Sequence, residues 1–204
     1  MSAFAVDIDR DAEAVRAMAS ALDPYLYQDE LYGALPGALP RLTLGGLLMR
    51  LHRQRALREQ LTPEQSAALG EAEAKHVQAR ADWALHYDQK IRRELGARQD
   101  ALKWFLDECD DHPQRCGEGY PTEAEKRTMI HHLLAEGDAR NLDLGPERQR
   151  QLALDGRLRE HFRAGDFIWT ASVQAAYPRA TFCGCMAGRA GAHDPEPEPP
   201  QARR

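Results

Sequence analysis

Thr62-Pro63-Glu64-Gln65 opens a run, TPEQSAALGEAEAKHVQARADWALHYDQKIRRELGARQDALKWFLDECDD, that reaches Asp111 without a second proline. Thr62 is a capping residue, Pro63 fits the first helical position, and Gln65 three residues on completes a capping box. Beyond it Val77, Ala81, Ala84, Tyr87, Ile91, Leu95, Leu102, Phe105 and Cys109 recur in steps of three, four or seven, the spacing of one helical face. Gly70 and Gly96 weaken that helix locally, by about 1 kcal/mol each relative to Ala, without ending it. The run reads as one helix over about 62–111, roughly 70 Å long at a rise of 1.5 Å per residue.

The rest of the composition agrees with a helical chain. In 204 residues the only valines are Val6, Val15, Val77 and Val173, and the only isoleucines Ile8, Ile91, Ile130 and Ile168. Strands draw on β-branched side chains, whereas Ala, Leu, Glu, Arg and Gln favour helix. The fold class is therefore read as all-α: a helical bundle organised on one very long helix, with shorter antiparallel helices and an irregular C-terminal segment. The longest apolar stretch, Leu42 to Leu51, is interrupted by Thr43, Gly45, Gly46 and Arg50, so no membrane span is expected. A net charge of −5 argues against nucleic acid as the partner. Asp7, Asp9, Asp11 and Glu13 replace the basic start of a secretory signal, and the expected location is the cytoplasm of a bacterium.

Four shorter helices are expected. Asp9 caps one running to Leu22, with Ala12, Val15, Ala19 and Leu22 on one face; Thr43 starts another that reaches Gln60. Thr122-Glu123-Ala124-Glu125 is a second capping box, opening a helix to Glu136 with Gly137 as its stop. Pro146 starts the last, which ends before Gly165. Residues 1–187 then form a single helical domain, Asp166 to Met186 packing irregularly across it. The Pro- and Glu-rich residues 188–204 form a disordered tail.

Chemistry is less marked than architecture. Cys109, His112 and Cys116 lie close together at the end of the long helix, and Cys183 and Cys185 flank one glycine in the late apolar segment. Thiolates and imidazoles are zinc ligands, so these five residues are the candidate metal site, with a Cys109–Cys116 or Cys183–Cys185 disulfide as the alternative. Glu73 and His76 share a helical face in the manner of half a di-metal site, but no second Glu-x-x-His follows. His131 and His132, about 100° apart on a helix, do not face one ion together. Arg41, Arg50, Arg53, Arg55 and Arg58 make the second helix basic, and the acids of 107–125 are its candidate partner within the chain. Tyr25, Tyr27, Tyr32 and Trp169 are candidates to line a pocket for an apolar ligand. No phosphate loop, nucleophile elbow or His-Glu-x-x-His motif is present.

A helix longer than its neighbours can cover needs a partner. The first functional expectation is thus a non-enzymatic protein–protein interaction or scaffold module. It would self-associate as a coiled-coil-like homodimer, or dock a helical partner, through a seam of Trp83, Tyr87, Ile91 and Leu95. The alternative is a zinc-binding or thiol-redox protein using the 109–116 loop with Cys183 and Cys185.

Overall fold

The computed structural model describes residues 6–164, 169, 171–178 and 188–190. The chain is all-α, with seven helices among the described residues: α1 (Ile8–Ser20), α2 (Leu22–Tyr27), α3 (Leu44–Ala56), α4 (Pro63–Asp82), α5 (Ala84–Asp111), α6 (Pro113–Ala139) and α7 (Gly145–His161). Short 3-10 helices lie at Arg58–Gln60 and Ala171–Ala176. β1 (Phe162–Ala164) and β2 (Gly188–Ala190) form a short antiparallel ribbon, Phe162 opposite Ala190. Gly188–Ala190 therefore depart from the expected structureless tail; its remainder lies outside the described residues. No helix is long and apolar enough to cross a membrane among the described residues.

The helix expected over 62–111 is two helices. Its start is as expected: Thr62 accepts from the Gln65 amide, Gln65 returns the bond to the Thr62 amide at 2.8 Å, and Pro63 opens α4. At Trp83 the backbone leaves helical geometry (φ −112°, ψ 33°), and α5 begins at Ala84. The break is a bend. His76 Nε2 and the Tyr87 hydroxyl, 11 residues apart, lie 2.8 Å from each other, whereas a straight helix would separate them by about 16 Å along its axis. No proline or glycine stands at the bend; tertiary burial produces it. α4 buries Leu69, Ala72, His76 and Ala79, packing on α1, and α5 buries Tyr87, Ile91, Leu95, Leu102 and Leu106 against α6 and α7. Val77, Ala81 and Ala84, which continued the apolar face in sequence, are exposed. Each half turns its own face to the core, so one continuous stripe is never needed.

Two other helix starts move. α1 is capped by Asp7, which accepts from the Arg10 amide at 3.1 Å. Asp9, the expected cap, lies inside the helix and accepts instead from Gln65 Nε2 of α4 at 2.6 Å. α6 does not start at Thr122: it runs from Pro113 through Pro121. α3 begins as expected, with Thr43 accepting from the Gly46 amide, but ends at Ala56.

The core lies where α1, α3, α5 and α6 meet. Met18, Leu22, Leu44, Leu47, Leu51, Ile91, Leu95, Ile130 and Leu133 are fully enclosed there. Glu94 of α5 is enclosed among them and takes both oxygens to the Gly45 amide at 3.1 Å, at the start of α3. Arg98 donates to Glu94 at 2.7 Å and to Thr43 Oγ1 at 3.0 Å. The first amides of a helix have no partners within it and carry a partial positive charge, so a buried carboxylate is stabilised there.

Candidate functional site

α3 presents Arg50 and Arg53 on one face, three residues apart, and both are almost wholly buried. A single buried carboxylate, Asp11 of α1, serves the two: Oδ1 lies 3.2 Å from Arg50 Nε and Oδ2 lies 3.4 Å from Arg53 Nη1. Arg53 is held on its remaining sides. Its Nε donates to the Tyr177 hydroxyl at 3.1 Å, and its guanidinium lies 4.8 Å from the centre of the Trp169 ring. Arg50 is held less completely. Nη1 donates to the Gly46 carbonyl at 3.1 Å, but Nε makes no hydrogen bond of acceptable angle despite its closeness to Asp11. Burial lowers the proton affinity of Arg50, and the pull of Asp11 and Glu125 does not restore it. Burial thus outweighs the pairing of Arg50 with Asp11.

These side chains floor a cavity of about 370 Å³ between α1, α3 and α6. Asp7 and Arg10, both exposed, Glu125 of α6 and the buried Trp169 also line it. A volume of this size accommodates a small metabolite. Beside it a second polar layer adjoins Tyr177. His52 Nε2 donates to the Ala176 carbonyl at 2.7 Å, which places the proton on that nitrogen. The His52 ring packs 4.9 Å from His132 and 5.4 Å from Tyr177. Burial pushes His132 down to about 3 and Tyr177 up to about 12. Both are uncharged near neutral pH, so the arginines are the cations of this region.

The residues singled out in the sequence are distributed differently. Cys109 and Cys116 are joined in a disulfide between the last turn of α5 and the first of α6, and in that state neither offers a thiolate. His112 is exposed at the turn between them, and Cys183 and Cys185 lie outside the described residues. Among the described residues no cluster of three or more His, Cys, Asp or Glu is placed to hold a metal ion. Glu73 pairs with Arg55 at 2.5 Å while His76 faces Tyr87, so the two do not share a site.

The expected seam is corrected. Tyr87, Ile91 and Leu95 are fully buried within one chain, and Trp83, at the bend, is partly exposed. The aromatic pocket is corrected too. Tyr25 is buried beneath the Lys90 ammonium with its hydroxyl on the Leu31 carbonyl, Tyr27 and Tyr32 face solvent, and Trp169 lies across the molecule beside Arg53. Two of the acids of 107–125 serve another helix: Asp107 and Asp110 accept from Arg157 of α7 at 2.9 and 2.6 Å. Glu125 reaches the arginine cleft. What sequence reasoning missed was the pairing of Arg50 and Arg53 with Asp11. The i,i+3 spacing of the arginines was readable, but the approach of α1 was not.

Comparison with known protein families, characterised proteins and solved structures finds no match to this chain.

Proposed function

We propose that the protein is a binding module for a small anion, a carboxylate or phosphate group, taken up in the cleft between α1, α3 and α6. One observation carries the reading: two buried guanidiniums share one buried carboxylate on the floor of an open cavity, and Arg50 Nε has no hydrogen bond. Burying charge without full compensation is unfavourable, and an anion entering beside Arg50 supplies the compensation through charge-assisted bonds. Arg53, fixed by Trp169 and Tyr177, positions Asp11, and Arg10 is a third guanidinium lining the cleft.

Isothermal titration of the full chain with inorganic phosphate and with succinate tests this. Saturable heat is expected with at least one of them, and Arg50→Gln should weaken it by at least about tenfold, the loss of one charge-assisted contact. Circular dichroism of the variant checks that the helices remain. No heat and no rise in melting temperature with either anion up to about 10 mM would overturn the reading.

A second reading, self-association as a homodimer, keeps some support from the bend. Tyr27 stands edge-on to Trp83 at 5.7 Å, and Tyr27 and Leu85 are 70 % and 67 % exposed. An exposed aromatic corner is a surface that association covers. Sedimentation equilibrium distinguishes the two: a dimer dispersed by Tyr27→Ser favours this reading, a monomer at all concentrations removes it.

A further inference from the structure

The start of α6 runs against its own sequence. Residues 113–121 contain Pro113, Gly117, Gly119 and Pro121, and Pro121 sits inside the helix. There it has no N–H to donate, and its ring crowds the carbonyl of Gly117. The four residues that follow, Thr122-Glu123-Ala124-Glu125, spell a helix start, yet they are interior to α6. Three features oppose the local preference: the Cys109–Cys116 bond to α5, the buried Tyr120 side chain, and the bare face of Gly119 against the Phe105 ring.

We propose that the Cys109–Cys116 disulfide is a redox latch on the start of α6. Closed, the helix begins at Pro113; opened by a dithiol, it begins at Thr122, and residues 113–121 leave it. Cys109 and Cys116 are both buried, so a reductant reaches the bond as the turn at His112 opens. A thiolate of the dithiol attacks Cys116 Sγ, the Sγ–Sγ bond breaks, and its electron pair passes to Cys109 Sγ, which takes up a proton. The second thiol of the reductant, as thiolate, then displaces Cys116 Sγ from the mixed disulfide, and Cys116 is protonated in turn. In sum two electrons and two protons reach the protein, and the dithiol leaves as a disulfide. Such bonds persist in oxidising compartments and open in reducing ones, which supplies the input.

The latch also reaches the cleft, and this consequence rests on the anion-binding reading. Glu125 lines the cavity beside Arg50 and Arg53. As the third residue of a helix capped by Thr122, its carboxylate turns back to accept from the Thr122 amide. Opening the latch thereby withdraws a negative charge from the cleft and strengthens anion binding.

Hydrogen exchange by mass spectrometry on the full chain, oxidised and treated with dithiothreitol, tests the latch without any ligand. Exchange across 113–121 is expected to rise by at least about tenfold on reduction while the second half of α6 stays protected. A Cys109→Ser, Cys116→Ser double variant should match the reduced state and isolates this pair from Cys183 and Cys185. Equal protection of 113–121 in all three forms overturns the latch. Phosphate titration tests the coupling: affinity should rise severalfold on reduction in the parent chain and not in Glu125→Gln. Affinity indifferent to redox state, with binding still lost in Arg50→Gln, overturns the coupling alone. Absence of binding in every state overturns the anion-binding reading, and the exchange result then decides the latch by itself.

Discussion

Gly45 stands where a side chain has no room. A Cβ there would lie 2.7 Å from Glu94 Oε1, 3.0 Å from Met129 Cβ and 3.2 Å from Leu133 Cδ1. The close approach lets the Glu94 carboxylate reach the Gly45 amide inside the core. Gly45→Ala is expected to cost about 2–3 kcal/mol, through overpacking and displacement of a buried charged hydrogen bond. Gly70 is the contrast: it lies in the exposed middle of α4, and nothing stands within 4 Å of a Cβ placed there. Gly70→Ala should stabilise by about 0.5–1 kcal/mol by lowering backbone entropy in the unfolded chain. Urea denaturation of the two variants, read together, checks both signs. The stretch Leu42-Thr43-Leu44-Gly45-Gly46 thus has a structural reason at Thr43 and Gly45.

At the scale of elements, the bend at Trp83 and the start of α6 are the two places where helices depart from local preference. The bend is pinned by a buried polar cluster. The Tyr87 hydroxyl lies 2.8 Å from His76 Nε2 and 3.4 Å from Glu136 Oε1, and Glu136 accepts from Arg80 of α4 at 3.0 Å. Tyr87→Phe leaves His76 and Glu136 each one partner short, and should cost about 1–2 kcal/mol by urea denaturation. A neutral outcome would mean that apolar packing alone sets the bend. At the start of α6, Gly117 and Gly119 cost about 1 kcal/mol each and Pro121 about 3 relative to Ala. Against them, a disulfide closing so short a loop contributes about 2–3 kcal/mol and the burial of Tyr120 about 2 kcal/mol. The two sides nearly cancel, so removing the disulfide is enough to shift the helix start.

The whole molecule carries its buried histidines as neutral groups. Burial lowers His76 to about 4 and His132 to about 3, from an ordinary value of 6.5, and lowers His131 in the same direction. The unfolded chain binds these protons first as pH falls. The stability gained from keeping them neutral is therefore complete above about pH 6.5 and is lost as pH drops through the range toward 4 and below. The loss should be on the order of 2 kcal/mol for each of His76 and His132. Urea midpoints at about pH 7.5 and about pH 5 should differ clearly in the parent chain and by less in His132→Gln, which removes one titrating group. Equal midpoints in the parent would refute the assignment of neutral buried rings.

Several features were legible in the sequence because they depend on neighbours along the chain. The helical class follows from the scarcity of β-branched residues. The starts at Thr43 and Thr62 follow from capping, where the partners are within three residues. The capping box read at Thr122 is not used: Thr122 lies inside α6, which starts at Pro113. What depends on approach across the fold was not legible. The spacing of 62–111 is continuous, yet burying α4 on α1 and α5 on α6 demands a bend that no residue at Trp83 announces. The apolar seam of Tyr87, Ile91 and Leu95 was correctly read as a face that must be covered, but sequence does not say whether a second copy or α6 covers it. The cleft illustrates the same division. The pair Arg50 and Arg53 is written in helical periodicity, whereas Asp11, Glu125, Trp169 and Tyr177 join it only because four separate segments converge. Helix formation is a local free-energy balance, and periodicity records it; a charged site and a bend are set by long-range burial, which only the folded chain decides.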